Sequence, residues 1–360
     1  MIDFENLRDV NEPFFGDFTH NFNNVLNTGT FVQGSYVKRF EQNFAKFIGS
    51  NFCIGVKSGA DALLLSIKSF DFEKKCRILI PANSHFSILL AVFYAGYVPI
   101  LVEPEKGTYN IDPHKIEEKI TANTSAIIAV HSFGKACNMD DISRIANNNN
   151  LKIIEECSGS HGAKYKNKAT GSFGSLASFG FDPSKILGAL GEAGAVTTSE
   201  KDIADRLKSL RNSGDTGSSQ DLQGFNFYPN ELQNGFLLSK LKKIDRIIEH
   251  KRKLADLYNM FLKDDFIKPV EDNDYFDVFQ AYNIRHPKRD KLMEYLLENE
   301  IQTRKPLLLP AYKHKLLQDS VSDNDFPVAR EIYETALSLP VSSAHQEMEI
   351  FKIIETMNKF

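Results

Sequence analysis

Between Phe52 and Ser199, short runs of β-branched residues alternate with segments of helical character. Parallel strands are joined by long crossover connections, usually helices, so this alternation predicts a mainly parallel sheet with helices on both faces. The candidate strands are FCIGVKS, CRILIPA, VPILVEP, SAIIAVHSF, KIIEEC, SLASFGF and GAVTTS. We therefore predict an α/β fold built on a seven-stranded sheet.

The pattern changes after residue 200. The stretch from Asn230 to Leu262 is periodic at helical spacing for about eight or nine turns, which predicts one long helix that leads out of the large domain. A strand in DVFQAYNIRH and three helices that start near Pro287, Asp325 and Ala344 predict a small α+β domain at the C-terminus. The predicted units are an N-terminal segment at 1–30, a large α/β domain at 31–235, and a unit at 236–360 that holds the long helix and the small domain.

The composition indicates a globular protein and argues against two classes of partner. The chain has 360 residues, of which 42% are hydrophobic, enough to bury a large core. Its 43 Lys and Arg residues against 47 Asp and Glu give a formal net charge of −4, and no run of five or more basic residues occurs. We therefore expect neither nucleic acid nor an anionic membrane as a partner.

The cysteines and the apolar stretches favour a cytoplasmic protein. The four cysteines are scattered, without a CxxC pair or a histidine at zinc-finger spacing, so we expect reduced, mostly buried thiols and no metal site. The N-terminus, MIDFENLRDVNEPFF, has acidic residues and lacks the apolar region of a signal peptide. The longest apolar stretch, SILLAVFYAGYVPILV, is too short for a membrane span and predicts a buried helix, a turn and a buried strand.

Polar and small residues follow several of the predicted strands. Ligands of open parallel sheets bind at the carboxyl ends of the strands, so these residues are candidates for a site. The first strand is followed by Ser58-Gly59-Ala60, a turn whose N–H groups suit a phosphate at a helix N-terminus. The remaining candidates along this edge are His85, Glu155, Glu156, His161 and Lys185.

Each of these groups has an ordinary structural explanation, but the set matches a site for pyridoxal phosphate (PLP). An amine in a low-dielectric pocket loses its proton more readily and can form a Schiff base with an aldehyde, a role available to Lys185. A carboxylate such as Glu156 can pair with the pyridinium nitrogen of the cofactor, and a ring such as His85 can stack on its face.

Eight segments in a fixed order along the chain carry a resemblance to a known family. They are TGTFVQGSYVKRFEQNFAKFIG, GVKSGADALLLSI, GTYNIDPHKIEEKITANTSAIIAVHSFGKACNMDDI, LKIIEECSGSHGAKY, FDPSKILGALGEAGAV, RLKSLRNSG, GFNFYPNELQ and DFPVAREIYETALSLPV. In these segments the chain resembles, over nearly its whole length, the DegT/StrS family of PLP-dependent nucleotide-sugar aminotransferases. The early FVQGSYVKRFE is most similar to members that aminate C3 of a dTDP-3-keto-6-deoxyhexose.

The resemblance implies a fold-type-I PLP-dependent transferase and a set of residue roles. Lys185 is then the Schiff-base lysine, and Gly59 and Ala60 offer backbone N–H groups to the cofactor phosphate. Asn226 reaches the phosphate in the neighbouring subunit's site, which implies a homodimer with shared active sites. His161 is a candidate on the substrate side. Glutamate is the usual amino donor of the family.

Several positions around the cofactor depart from the family pattern. Glu156 stands where the family has aspartate against the pyridine nitrogen, and His85 stands where it has a stacking aromatic residue. Ala60 replaces the turn threonine, Gly180 the phosphate-binding serine, and Gly159 a glutamine.

These departures keep two alternatives to an aminotransferase open. One is a PLP-dependent sugar dehydratase or isomerase, although dehydrating members replace the lysine with histidine. The other is a PLP-free or catalytically degenerate member that acts as a binding or regulatory subunit. The resemblance does not identify the sugar substrate. The segment TRKPLLLPAYKH, which lies where the family contacts sugar and nucleotide, also departs from the usual pattern.

Overall fold

The computed structural model describes residues 1–213, 224–270, 272–317 and 321–360, so Gly214, the last residue of the RLKSLRNSG segment, lies outside the described residues. The helices are α1 Leu7–Asn11, α2 Phe15–Thr28, α3 Ser35–Ile48, α4 Gly59–Lys68, α5 Phe86–Tyr94, α6 Pro113–Lys119, α7 Met139–Asn148, α8 Lys201–Arg211, α9 Glu231–Leu241, α10 Ile244–Phe261, α11 Arg289–Glu298, α12 Pro327–Thr335 and α13 Glu347–Met357. The strands are β1 Phe52–Val56, β2 Arg77–Pro81, β3 Val98–Val102, β4 Thr124–Val130, β5 Lys152–Glu156, β6 Lys164–Tyr165, β7 Lys168–Ala169, β8 Leu176–Gly180, β9 Gly194–Thr198, β10 Tyr275–Phe276, β11 Tyr282–Arg285 and β12 Ala336–Leu339.

All seven strands predicted before residue 200 form one seven-stranded sheet. Its order is β1-β9-β8-β5-β4-β2-β3. β9 runs antiparallel to both of its neighbours, whereas the other pairs are parallel. The predicted α/β class with a mainly parallel sheet is therefore confirmed.

Helices cover both faces of the sheet because successive strand residues point to opposite sides. In β4, Ile128 belongs to the apolar cluster that includes Leu65 of α4, and its neighbour Ile127 to the cluster that includes Ile142 of α7. Further along the sheet, the ring of Phe179 in β8 packs edge-on against Phe44 of α3, with 4.9 Å between the centroids. This double cover leaves the ends of the strands as the open part of the sheet.

The single long helix predicted from Asn230 to Leu262 is wrong, because it is divided into α9 and α10 at Lys242 and Lys243. α9 packs on α2 and α3, whereas α10 packs on α13 in the C-terminal part of the chain. The buried Lys240 fixes the end of α9, since its Nζ donates to Asn11 Oδ1 at 3.0 Å and to the carbonyl of Gly188 at 2.8 Å. Apolar periodicity continues through the break, which contains neither proline nor glycine.

The C-terminal part contains the predicted small α+β arrangement. The three predicted helices are α11, α12 and α13, and the strand predicted in DVFQAYNIRH is β11. Its antiparallel partner β12, Ala336–Leu339, was not predicted. Residues of α10, α11 and α13 share one apolar cluster with these strands. The domain boundaries at 30 and 235 stay a prediction.

Two further expectations can be compared with the described residues. The four cysteines are unpaired and buried, as expected. Within the described ranges, no helix has the length and apolar character needed to cross a bilayer.

Candidate active site

A cavity of about 720 Å³ opens at the carboxyl ends of β1, β2, β4, β5 and β8. These ends lie on one edge of the sheet, because β1 runs parallel to β8 on the far side of β9. The predicted residues that line this cavity are Gly59, Ala60, His85, Glu156, Gly180 and Lys185. The fold thus brings residues from four separate segments of the chain, 59–60, 85, 156 and 180–185, to one place.

One end of the cavity is formed by the first turn of α4. Ser58 caps this helix, and its Oγ accepts from the N–H of Asp61 at 3.2 Å. Among the described residues, the N–H groups of Gly59 and Ala60 have no acceptor. A Cβ on Gly59 would lie 2.7 Å from the Cα of Gly180, so only glycine allows the helix start to lie this close to the end of β8. Such a cradle of backbone donors at a helix N-terminus suits a phosphate.

A hydroxyl that sequence reasoning missed lies beside this cradle. Ser158 lines the cavity, and its Oγ accepts from the N–H of Gly180 at 2.7 Å. A Cβ on Gly180 would lie 2.9 Å from that oxygen, so the hydroxyl takes the space of a side chain at position 180. The sequence carried only an indirect signal for Ser158. Gly180, in place of the family serine, leaves room for a hydroxyl from another part of the chain.

Lys185 is half-buried in the link after β8, and its Nζ lies 3.5 Å from Asp182 Oδ2. Burial by itself would raise the pKa of Asp182, but the charge of Lys185 and hydrogen bonds from Ser184 bring it below its ordinary value. The Asp182 carboxylate therefore stays ionised next to the amine.

Gln280 holds the backbone on both sides of Lys185. Its Nε2 donates to the carbonyl of Ser184 at 2.8 Å, and its Oε1 accepts from the N–H of Ile186 at 3.0 Å. Gln280 precedes β11 and is distant in sequence, so the sequence carried no signal for this contact.

His85 and Glu156 provide the ring and the carboxylate expected at the site. His85 caps α5, and its Nδ1 accepts from the N–H of Ser87 at 3.3 Å. Partial burial, together with the charge of Lys185, lowers the pKa of His85, which favours a neutral ring. Glu156 Oε1 accepts from the N–H of Ser158 at 3.1 Å, which orients the carboxylate at the cavity wall.

The expectation that Glu155 faces the same edge is wrong. Successive residues of a strand point to opposite faces, so Glu155 is buried on the far side of β5 from Glu156. Its carboxylate lies 2.9 Å from Nε2 of the buried His131 and accepts from the N–H groups of Gly171, Phe173 and Gly174. Burial opposes ionisation, but these partners lower the pKa of Glu155. Glu155 therefore pairs with His131 and with the loop after β7, and it is not among the residues that line the cavity.

His161, expected on the substrate side, is fully buried and is not among the residues that line the cavity. Its ring stacks with the rings of Phe179 and Phe181, and its Nδ1 lies 3.4 Å from the N–H of Leu187. Burial, followed by the charge of Lys185, lowers the pKa of His161 to about 3. In this position a neutral imidazole supports the link that carries Lys185.

Asn226 lies away from the cavity of its own chain. It is exposed and forms an isolated bridge with Asn212. Its predicted role in a neighbouring subunit stays a prediction.

The residues of this cavity fit PLP. Free N–H groups of α4 and the Ser158 hydroxyl suit a phosphate, and the amine of Lys185 shares the wall with the carboxylate of Glu156. The volume also lies within the usual range of ligand pockets, about 300 to 1,000 Å³. Pro306 and Leu307, from the C-terminal part of the chain, close one side.

The chain is similar to known aminotransferases over nearly its whole length. Residues 16–358 match the profile of the DegT/DnrJ/EryC1/StrS aminotransferase family. Among curated proteins, the dTDP-3-amino-3,6-dideoxy-alpha-D-galactopyranose transaminase of Aneurinibacillus thermoaerophilus is 38% identical over 362 residues, which cover 100% of this chain and 99% of that protein.

Solved structures of similar proteins also match this chain over nearly its whole length. S. venezuelae DesV in complex with ketimine intermediate superposes with a TM-score of 0.96 at 28% identity, covering 99% of this chain and 98% of that one. NtdA from Bacillus subtilis with bound cofactor PMP has a TM-score of 0.91 at 26% identity, covering 99% and 84% of the two chains.

Proposed function

This chain belongs to the DegT/DnrJ/EryC1/StrS aminotransferase family, and on that basis we propose that it is a PLP-dependent aminotransferase of nucleotide sugars. The reaction transfers an amino group to C3 of a dTDP-linked keto-deoxyhexose, the chemistry named for its full-length relative from A. thermoaerophilus. The proposal depends most on Lys185, whose amine lies on the wall of the cavity with Glu156 and the free N–H groups of α4.

Each part of the cavity has a separate task in holding the cofactor. The N–H groups of Gly59 and Ala60 would bind the phosphate, together with the Ser158 hydroxyl. Glu156 would pair with the ring nitrogen, and His85 would lie against the ring. PLP, when bound, supplies an electron sink that stabilises negative charge on the carbon next to the reacting amine.

Lys185 would serve as both attachment point and proton carrier. Once its amine is free, it can take a proton from the α-carbon of the donor and later deliver one to C3 of the sugar. Asp182 Oδ2, 3.5 Å from Nζ, would hold the amine near this carboxylate between these transfers. Gln280 holds the adjoining backbone, so the amine returns to the same place after each transfer.

We also propose that the protein is a homodimer in which Asn226 reaches the partner's phosphate site. The exposure of Asn226, and of large apolar side chains on and after α2, supports a contact between copies; these are Phe15, Phe22, Leu26, Phe31 and Val32. Mixed dimers of Asn226→Ala and Lys185→Ala chains would regain activity if the sites are shared, because one of the two sites then has both residues. A monomer of full activity would contradict this arrangement. Glutamate as donor and a cytoplasmic location stay predictions.

The function is tested by incubating the purified protein with PLP, L-glutamate and a dTDP-3-keto-6-deoxyhexose, and identifying the product by mass spectrometry. We expect a 3-amino sugar from the wild type and none from Lys185→Ala, which should also lose the visible absorption of the bound cofactor. A wild-type protein that stays colourless at saturating PLP would instead support a binding or regulatory subunit. Bound PLP that no amino acid converts would support a dehydratase or isomerase.

A further inference from the structure

Four serines line the cavity at the strand ends, and one of them has an unused hydroxyl. The hydroxyls of the other three are bonded within the described ranges: Ser84 donates to the carbonyl of Pro81, Ser87 pairs with His85, and Ser158 accepts from Gly180. The Ser132 hydroxyl has no hydrogen-bond partner among the described residues, and Ser132 is only half-buried. Ser132 therefore presents a free donor to the cavity.

The turn that carries Ser132 is held by a buried side chain. Asn110 is 1% exposed, and its Oδ1 accepts from the N–H of Ser132 at 2.8 Å. Its Nδ2 donates to the carbonyls of Lys135 and Ala136, at 3.1 and 2.8 Å. Phe133 has a φ of 57°, a left-handed conformation that a bulky residue keeps only where the surroundings hold it. The backbone that carries the Ser132 hydroxyl is therefore fixed in place.

The order of the strands determines which edge of a bound cofactor would face Ser132. The proposed phosphate site lies at the first turn of α4, beside the end of β8, and Glu156 is the last residue of β5. Ser132 comes two residues after the end of β4, the next strand beyond β5 in the sheet. In PLP, the phosphate arm and the ring hydroxyl lie on opposite sides of the line from the aldehyde carbon to the ring nitrogen. A ring with its phosphate at α4 and its nitrogen at Glu156 therefore turns its hydroxyl edge toward Ser132.

Gly159 leaves space at this edge of the cavity. It lines the cavity in the loop after β5. A Cβ on Gly159 would lie 3.3 Å from the carbonyl oxygen of His131 and 3.5 Å from the nitrogen of Phe133, the residues on either side of Ser132. A side chain at position 159 would therefore begin against the Ser132 turn, and glycine leaves that space to a ligand.

We propose that Ser132 donates a hydrogen bond to the ring oxygen of PLP. This inference rests on the proposed PLP-dependent function and adds a cofactor-binding residue to it. The phosphate, the ring nitrogen and the aldehyde carbon have proposed partners, and the ring oxygen is the remaining polar group of the cofactor. A hydrogen bond to an ionised oxygen is stronger than one between neutral groups, so this contact would affect both the affinity and the absorption of the bound cofactor.

The first test follows the visible absorption of the bound cofactor against pH. The Schiff base of Lys185 shares its proton with the ring oxygen, and loss of that proton leaves a negative charge on the oxygen that a donor stabilises. We expect Ser132→Ala to raise the midpoint of the absorption change by about one to two pH units, the usual effect of one hydrogen bond to a charged group. The other titratable side chains on the cavity wall are the same in this variant; they are His85, His131, Glu156, Asp182, Lys185 and Glu192.

Ser84→Ala is the matched control for this titration. It removes a hydroxyl from the same wall, but that hydroxyl already donates to the carbonyl of Pro81 at 2.8 Å. We expect the control to keep the midpoint of the wild type. An unchanged midpoint in Ser132→Ala, or an equal shift in Ser84→Ala, would overturn the Ser132 contact.

The second test measures binding without a covalent bond. Pyridoxamine phosphate carries the same ring oxygen and forms no bond with Lys185, so calorimetry on the full chain freed of cofactor reports its non-covalent contacts. We expect Ser132→Ala to weaken this binding by about tenfold to a hundredfold. An analogue with hydrogen in place of the ring hydroxyl should bind equally to the wild type and to Ser132→Ala. Equal losses for both ligands would show that Ser132 does not act on this oxygen, and would overturn the proposal.

Failure of the Ser132 contact can be distinguished from failure of the proposed function. A wild-type protein that binds neither PLP nor pyridoxamine phosphate would contradict the PLP-dependent function, and the Ser132 contact with it. A wild type that binds both ligands, with the same midpoint and affinity in Ser132→Ala, would contradict the Ser132 contact alone.

Discussion

The hydroxyl of Ser158 lies where a side chain on Gly180 would be. Its Oγ accepts from the N–H of Gly180 at 2.7 Å, and a Cβ at position 180 would approach it to 2.9 Å. The Ser158 O–H has no acceptor among the described residues and lies beside the first turn of α4, so it can donate to an anion there. A glycine in place of the family's phosphate-binding serine is thus accompanied by a hydroxyl from the loop after β5.

This pairing predicts that substitutions at the two positions compensate each other. Gly180→Ser forces the Ser158 hydroxyl to move and give up its hydrogen bond, and we expect it to lower the free energy of unfolding by about 1 to 3 kcal/mol. Ser158→Ala removes only the hydrogen bond, at about 1 kcal/mol. The double variant should lose less free energy of unfolding than the two single variants lose together. Urea denaturation of the three variants can measure this difference. Costs that add within about 0.5 kcal/mol would show that the two positions are independent.

The carboxylate of Glu156 is predicted to act through its charge. In Glu156→Gln, the amide oxygen can still accept from the N–H of Ser158, so the fold should be preserved. The ring nitrogen of the cofactor would lose its ionic partner, and we expect kcat to fall by about 10- to 100-fold. Glu156→Asp keeps the charge on a shorter side chain and should retain more activity. Steady-state kinetics at saturating PLP distinguish the two, and equal rates for Gln and the wild type would contradict the role.

Gln280 is predicted to position Lys185 without touching the substrate. Gln280→Leu removes two hydrogen bonds to the backbone beside Lys185, worth about 1 kcal/mol each, so the rate of cofactor attachment and kcat should both fall about 5- to 30-fold. The KM for the nucleotide sugar should stay close to the wild-type value. Gln302→Leu, a change of the same type away from the cavity wall, is the control. A rise in KM with normal kcat would contradict a positioning role.

The sequence predicted the sheet because its strands are short, β-branched and separated by amphipathic helices, a local signal. It also predicted Gly59, Glu156 and Lys185 at one edge, because parallel strands end together. It could not show which of Glu155 and Glu156 faces the cavity. The sequence does not fix the end of a strand to one residue, and a shift by one residue moves each side chain to the other face of the sheet. Gln280 was missed because it reaches the site through a tertiary contact that leaves no local pattern. The break between α9 and α10 was missed for the same reason, because it depends on which neighbours each helix packs against.

The buried His161 should make the stability of the protein depend on pH. A histidine in the unfolded chain has a pKa near 6.5, and burial lowers the pKa of His161 to about 3. Between these values the unfolded chain binds a proton at this residue and the folded chain does not, so stability decreases as the pH falls. Between pH 7 and pH 5, this linkage amounts to about 2 kcal/mol.

His161→Phe keeps a ring packed against Phe179 and Phe181 but has no proton to bind. It loses the acceptor near the N–H of Leu187, so its stability at pH 7 should be lower than that of the wild type by about 1 to 3 kcal/mol. Its further loss between pH 7 and pH 5 should be about 2 kcal/mol smaller than the loss of the wild type. His114→Phe, at an exposed histidine, should keep the wild-type pH dependence. Urea denaturation at the two pH values measures all three proteins. Identical pH dependence in His161→Phe and the wild type would mean that His161 becomes protonated in the folded chain, which its burial against two phenylalanine rings opposes.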